Sequence, residues 1–418
     1  MNTLTDLRTT LDRYAEQVTD GDAVVRATAV RHRVSVVRRR RRGMGAAALA
    51  LVVGATVGFI GVHRAPSDPA PVIFGVRAPE TMTSLSYTYA VDGWSTTVAG
   101  RATVKLPASD RPRLISWTLQ GTSSVRFVLP SGEIWHSRAS HFHDFVALAA
   151  GQTGTLRVAA GRGKVGLATY ALTARTPAGY TRDGITFRRT VAGSPLLGAV
   201  IGDVGQPDVS TSFATPRGTI GLGVSCVGLP RGDVVHVDFN GSERSVGDCD
   251  GTSTFDPGAL IGYRFNVAKA GRRVVMRVWV GKGVKSTSPL PAGSVPDLRM
   301  LAGVYGPIRL TTAGGNHVRA VVEHDGHEWQ AASTFDSAAG VPIHEGPFRH
   351  QLLGEMAWHT HGETRVSFAA QGMTAEGGRF IGGRASIGDL WVPWGSTFRA
   401  RLVQGRGTFG VVLYRRVD

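Results

Sequence analysis

Twenty consecutive uncharged residues, Gly43 to Val62, follow directly on five arginines. A helix of 20 residues rises about 30 Å, the thickness of a bilayer hydrocarbon core. An arginine block holds its own end of such a helix in the cytoplasm. The pattern predicts one transmembrane helix over 43–62, with residues 1–42 inside and the bulk of the chain extracytoplasmic. Arg38, Arg39, Arg40, Arg41 and Arg42 set this topology. A cleaved signal peptide needs a shorter basic start and a small-x-small cleavage site. Here the basic region is 42 residues long and Val62-His63-Arg64-Ala65-Pro66 follows the apolar run, which favours an uncleaved anchor.

Ahead of the arginines, Leu4, Leu7, Leu11, Tyr14 and Val18 recur at three- and four-residue spacing. Ala23, Ala27, Val30, Val34 and Val37 repeat the pattern beyond Asp20-Gly21-Asp22. Each set is one apolar stripe of a helix. Two short amphipathic helices make no stable core alone, so this cytoplasmic segment needs the membrane surface, a second copy or a protein partner. The stretch from Leu4 to Leu11, the polar hinge, the arginine run and the Ala/Gly-rich span together resemble the start of actinobacterial single-pass envelope proteins, N-terminus inside and C-terminus outside. Some of these stand beside extracytoplasmic-function sigma factors. The resemblance covers the first 65 residues or so and implies a regulator holding a transcription factor. The zinc-binding anti-sigma signature, His-x3-Cys-x2-Cys, is absent: His32 is the only histidine before the span and no cysteine precedes it.

Outside the span, helical periodicity gives way to short apolar runs punctuated by glycine, which reads as many strands and turns. A Pro-rich tether occupies 63–72. Internal similarity then shows the organisation. Asp144-Phe145-Val146 leads to Arg157 and on to Tyr170, and Asp389-Leu390-Trp391 leads to Arg401 and on to Tyr414. A looser middle copy ends at Tyr305, with an insertion containing Ser286 to Pro296 ahead of its last strand. Each copy reads as a closing β-hairpin. The expected fold is mainly β: three tandem β-sandwich or jelly-roll-like modules at 73–176, 177–308 and 309–418, after a helical N-terminus and one transmembrane helix. The end of the first module is also similar to the pre-peptidase C-terminal domain, which implies a binding or packing module.

Charge narrows the partners. Residues 65–418 carry 36 basic against 26 acidic side chains, a surplus of 10 within the net +16 of the chain. An outward-facing basic surface suits anionic wall polymer, glycan or phospholipid headgroups. Nucleic acid is not among the expected partners; the membrane and, at 1–42, a cytoplasmic protein are. Cys226 and Cys249 lie outside the span with 22 residues between them, an arrangement that fits a disulfide in an oxidising compartment.

Candidate chemistry is sparse. Gly161 to Gly166 and Gly405 to Gly410 match GxGxxG, but a strand follows each where a dinucleotide site needs a helix. His136, His141 and His143 cluster in the first module; His324, His327, His344, His350, His359 and His361 cluster in the third, near Glu323, Asp325, Glu328 and Glu363. Strand positions two apart share a face, as a metal site requires, yet no HExxH is present. Asp248, Asp250 and Asp256 lack the calcium-loop pattern. Trp391 and Trp394 fit a sugar platform or a buried strand. Ser225 lies in no nucleophile elbow. No catalytic residue, metal ligand or cofactor is assigned. The expected function is a non-enzymatic, membrane-anchored envelope protein that binds or senses wall polymer, glycan or protein. The alternatives are an anti-sigma-like regulator and a metal-dependent or glycan hydrolase.

Overall fold

The computed structural model describes residues 62–63, 69–97, 101–106, 109, 111–121, 125–128, 134–137, 140–148, 154–159, 163–247, 263–267, 270–338, 340–370, 373–376, 380–393 and 395–417. All regular elements among them are strands.

The first group comprises β1 (Val62–His63), β2 (Val72–Ile73), β3 (Val76–Arg77), β4 (Thr81–Ser84), β5 (Tyr87–Thr97), β6 (Arg101–Leu106), β7 (Arg113–Gln120), β8 (Val125–Val128), β9 (Ile134–Ser137), β10 (Phe145–Leu148), β11 (Gly154–Ala159) and β12 (Lys164–Leu172). One sheet runs β5-β12-β7-β10, with β1 and β4 also on β5; the other runs β6-β11-β8-β9. Every pairing is antiparallel, and from β5 onward the chain changes layer at each step except from β8 to β9, which pair within one layer. This is the jelly-roll connection.

The second group repeats it. A hairpin of β13 (Gly179–Arg182) and β14 (Ile185–Arg188) and the short β15 (Thr190–Val191) precede β16 (Ser194–Ile201), β17 (Asp208–Ala214), β18 (Gly218–Val227), β19 (Val234–Phe239), β20 (Ser242–Gly247), β21 (Tyr263–Val267), β22 (Arg273–Gly281) and β23 (Arg299–Ile308). The sheets run β16-β23-β18-β21 and β17-β22-β19-β20, strand for strand the order of the first group. Alternate residues fill the space between them: Val235, Val237, Met276, Val278 and Val280 from one layer share a cluster with Leu222, Met300, Ala302 and Val304 from the other. Residues 282–298 separate β22 from β23, where the sequence predicts an insertion.

The third group comprises β24 (Leu310–Ala313), β25 (Asn316–Arg319), β26 (Val321–His324), β27 (His327–Ala338), β28 (Ile343–Glu345), β29 (Leu352–Ala370), β30 (Met373–Glu376), β31 (Phe380–Val392) and β32 (Phe398–Arg416). The same plan is drawn with longer strands. The first half of β29 pairs with the second half of β32 and with β31, while the second half of β29 pairs with the first half of β32 and with β30. Two 19-residue strands therefore pass through both layers. At Gly407, where β32 turns from one layer to the other, φ is +143° and a Cβ would lie 2.2 Å from the His359 carbonyl oxygen, so only glycine fits.

Three features recur in all groups. Each opens with two hairpins closed by two-residue turns with both φ values positive, at Phe74-Gly75 and Leu85-Ser86, Asp183-Gly184 and Ala192-Gly193, and Gly314-Gly315 and Asp325-Gly326. This is the type I′ geometry that matches strand twist. One extra residue then bulges from β5, β16 and β27, namely Asp92, Leu197 and Ala332. The bulge faces the step into the tyrosine that marks each repeat in the sequence. The Tyr305 hydroxyl donates to the Arg188 carbonyl at 3.2 Å, tying the last strand of its group to the opening hairpin. Tyr414 makes the matching contact with the Arg319 carbonyl at 2.8 Å, with the Glu355 carboxylate at 2.9 Å. Tyr170 is equally buried, but its hydroxyl has no hydrogen-bond partner among the described residues, and burial pushes its phenol pKa up.

Several expectations change. The predicted helices over 1–42, Arg38 to Arg42 and residues 43–61 of the predicted span lie outside the described residues. Val62, expected to close the span, instead sits in β1 opposite Trp94. No helix among the described residues is long and apolar enough to cross a membrane. Ala70, expected in the tether, is buried with Ile73 and Tyr87. The closing hairpins are not hairpins: β11 pairs with β6 and β8 while β12 pairs with β5 and β7. The chain thus changes layer between β11 and β12.

Replacing Tyr305 or Tyr414 by Phe removes a buried hydrogen bond and is expected to cost about 1 kcal/mol each. Tyr170→Phe is expected to leave stability unchanged or raise it. Denaturation midpoints of the three variants check this; a loss at Tyr170 equal to the others would mean its hydroxyl has a partner.

Candidate functional site

Arg188 ends the opening hairpin of the second group and is 2% exposed. A guanidinium so buried needs several acceptors. Its Nη1 and Nη2 donate to the two carboxylate oxygens of Glu323, on β26 of the third group, at 3.0 and 2.5 Å. Nη1 also reaches the Leu85 carbonyl of the first group at 3.3 Å, and the guanidinium lies 5.9 Å from the Tyr87 ring centroid. Glu323 Oε1 accepts in addition from the Ala192 amide at 2.8 Å. Leu85, Ala192 and Gly326 occupy equivalent second turns, so the three modules meet through the same piece of each. The Ser84 hydroxyl donates to the Gly326 carbonyl at 2.6 Å. A Cβ on Gly326 would sit 2.7 Å from the Ala147 side chain.

A second seam joins the first and third modules. His327 is buried, stacks on Phe145 at 4.0 Å and donates from Nε2 to the Phe145 carbonyl at 3.0 Å. Arg416 pairs with Asp144, whose carboxylate also accepts from Ser137 at 2.8 Å. One buried cluster runs from Ile115, Trp117 and Val146 to Trp329, Trp391 and Tyr414 across this boundary.

The sequence-predicted residues are thus dispersed among structural roles. Glu323 and His327 are in the junction, and Trp391 is buried with its ring centroid 5.5 Å from that of Trp329. His324 is 3.3 Å from Asp325 and packs edge-on against Trp391. Glu328 lies opposite Glu323 on the neighbouring strand, and its carbonyl accepts from the Val417 amide. His141 and His143 sit in a turn, where His141 has φ +59°, rather than on a strand, and their rings are 6.2 Å apart. The His136 backbone is on β9 opposite Arg126. His359 and His361 do share β29, with ring centroids 5.8 Å apart, and Glu363 follows them; His344 and His350 are exposed. Among the described residues, no three His, Cys, Asp or Glu side chains are grouped so as to hold a metal. Ser225 is buried on β18. Cys226, also on β18, is 1% exposed and is not a free thiol. Cys249, Asp248, Asp250, Asp256 and Trp394 lie outside the described residues.

Two surface features were not singled out in the sequence. A groove of about 460 Å³ on the second module is lined by Arg182, Asp203, Gln206, Asp208, Ser210 and Arg277. Its charges neutralise one another: Arg182 pairs with Asp203, and Arg277 grips Asp208 through Nε at 2.9 Å, a bond that raises the Arg277 pKa further. The outer face of the third module's second layer differs. Arg399 and Arg401 alternate with the core residues Phe398, Ala400 and Leu402, so both point outward, exposed. Neither has an ion pair among the described residues. His344, also exposed, stands opposite Arg399 on β28, and Ala369 and Ser367 stand opposite Arg399 and Arg401 on β29. An alternation of arginine with core residues in β32 was the available signal.

No family model and no curated protein matches the chain. Among solved structures it is similar to a Paenibacillus xanthan lyase, at 14% identity over 81% of this chain and 36% of that one, TM-score 0.19. The chain thus spans about a third of the lyase's length. It is also similar to the major capsid protein P2 of bacteriophage PM2, at 9% identity over 54% and 98% of the two chains, TM-score 0.18. A Bacillus subtilis oxalate decarboxylase gives 11% identity over 84% and 79%, TM-score 0.15. With TM-scores this low, none of these likenesses bears on activity or ligand.

Removing one partner of the Arg188–Glu323 pair strands a buried charge, so Arg188→Met and Glu323→Gln are each expected to cost about 3 kcal/mol or more. The double variant Arg188→Met/Glu323→Gln is expected to lose clearly less than the sum. Denaturant unfolding of the three proteins measures the coupling; additive losses would mean that the pair does not act as a unit.

Proposed function

We propose that this chain is a non-enzymatic, membrane-anchored envelope protein whose β-rich extracytoplasmic region binds wall polymer, glycan or protein. The observation that carries the reading is the use made of the reactive side chains. Glu323 and His327, two of the groups a metal-centred reading would draw on, are committed to joining the modules, as are Asp144 and Trp391. Among the described residues a paired-charge groove and a basic face without ion pairs point outward, which suit adhesion better than bond cleavage. Arg38 to Arg42 and the apolar run 43–61, ahead of β1, supply the anchor in this reading, and residues 1–42 remain in the cytoplasm as a docking element.

Full-length protein in detergent is expected to cosediment with purified cell-wall material and to be released as salt rises, since exposed charges are screened within a Debye length. Crosslinking in native membranes, with and without residues 1–42, separates this from the regulator reading. Wall or envelope components captured equally by both forms support adhesion; a transcription factor captured only by the intact chain replaces it. We further propose that Cys226 pairs with Cys249, closing the 22 intervening residues. Peptide mapping without reductant is expected to recover the linked pair, and two separate thiol peptides would exclude it.

A further inference from the structure

We infer that the outer face of the third module's second layer is a binding strip for a linear polyanion, laid along the first half of β32 over Arg399 and Arg401. This deepens the adhesion reading and rests on it.

The strand geometry sets the spacing. Alternate residues on a strand are about 6.7 Å apart, so the two guanidinium groups form a row along one line instead of a cluster. A row suits an extended chain that carries phosphate or carboxylate groups at intervals, because each guanidinium can take one anionic group in a two-pronged hydrogen bond. The flanks suit the same occupant. Ala369 and Ser367 on β29 are short and only partly exposed, leaving a shelf beside the arginines. On the other side, His344 of β28 adds a donor opposite Arg399. Val403, 46% exposed, continues the line past Arg401 with an apolar contact for a polymer backbone.

The second module shows what this face looks like when it is not available. Its β22 corresponds to the first half of β32, and its arginines also alternate outward. There Arg277 is held by Asp208, and Arg273 donates to Ser212 through Nη2 at 2.9 Å. Further along the same face, residues 282–298 fold over the sheet. His236 is completely buried, stacked 3.9 Å from Trp279 and in contact with the Gly283 carbonyl at 3.2 Å. In the second module part of the face is covered, Arg277 is ion-paired and Arg273 is hydrogen-bonded to Ser212. In the third, Arg399 and Arg401 have no ion pair among the described residues. Charge complementarity therefore points to an anionic occupant for the third module rather than the second.

The test measures binding of full-length protein in detergent to long-chain inorganic polyphosphate and, separately, to purified wall material. Arg399→Glu/Arg401→Glu is compared with Arg189→Glu/Arg272→Glu, which makes the same change in net charge at exposed arginines of the second module. Thermal melts confirm that each variant is folded; if the reversed pair is not, Arg399→Gln/Arg401→Gln replaces it. The strip predicts at least a roughly tenfold weaker polyphosphate affinity for the third-module variant, as expected from losing charge-assisted hydrogen bonds, and about twofold or less for the control. Equal losses in both variants, or none in either, would overturn the strip while leaving adhesion intact, provided the unaltered protein still binds wall material. Failure of the unaltered protein to bind either probe would sink both.

Discussion

One buried ion pair, Arg188 with Glu323, fixes the second module against the third, beside the separate apolar and charged seam between the first and third. Taking two charges out of water is expensive, and the expense is recovered only with good geometry and further hydrogen bonds. Both conditions are met here: two parallel contacts, an additional amide donor to Glu323 and a carbonyl acceptor for Arg188. An apolar patch of similar size would hold the modules together without fixing their angle. A two-pronged charged contact fixes direction as well. It also draws in the strained part of the first module, where Leu85 and Ser86 both adopt positive φ without glycine. Such a turn costs of order 1–3 kcal/mol per residue and persists where its surroundings over-determine it.

What is repeated along the chain is the frame, and what differs is the dressing. All three modules share strand order, opening turns, the bulge and a buried tyrosine, whose hydroxyl locks the opening hairpin in the second and third. Those features serve folding, since each satisfies backbone groups or fixes register. The outer faces are released from that duty and have diverged. The second module covers part of its face with an insertion and pairs Arg277 with Asp208; the third leaves its arginines outward. Copies of one scaffold can thereby carry different tasks, with function residing in the site and not in the fold.

Much of the frame was legible in the sequence because it is local. Strand and turn composition shows the β class, and the spacing from Arg157 to Tyr170 and from Arg401 to Tyr414 shows the repeat. The error at the closing hairpin has a physical origin: a glycine-rich turn between two apolar strands reads the same whether the strands pair or change layers. Asp183-Gly184 and Asp325-Gly326 are short-range hairpin signals that mark module starts, yet they lie apart from the repeat that drew attention. The junction was out of reach. Arg188 and Glu323 are 135 residues apart, and neither belongs to a motif. The histidine spacing held no trace of the junction either, since His327 meets Phe145 of another module, 182 residues away.

The double-layer course of β32 also has a mechanical meaning. Its first half carries Arg399 and Arg401, and its last residue is Arg416, paired with Asp144 of the first module. The same strand is hydrogen-bonded to β29 over nearly its whole length. Tension applied at the outer face therefore runs along one continuous backbone, loading a long ladder of hydrogen bonds in shear rather than peeling them singly. It leaves the module through the seam with its neighbour. Under the proposed adhesion, with one end anchored and a polymer on the strip, the third module would act as a tie rod.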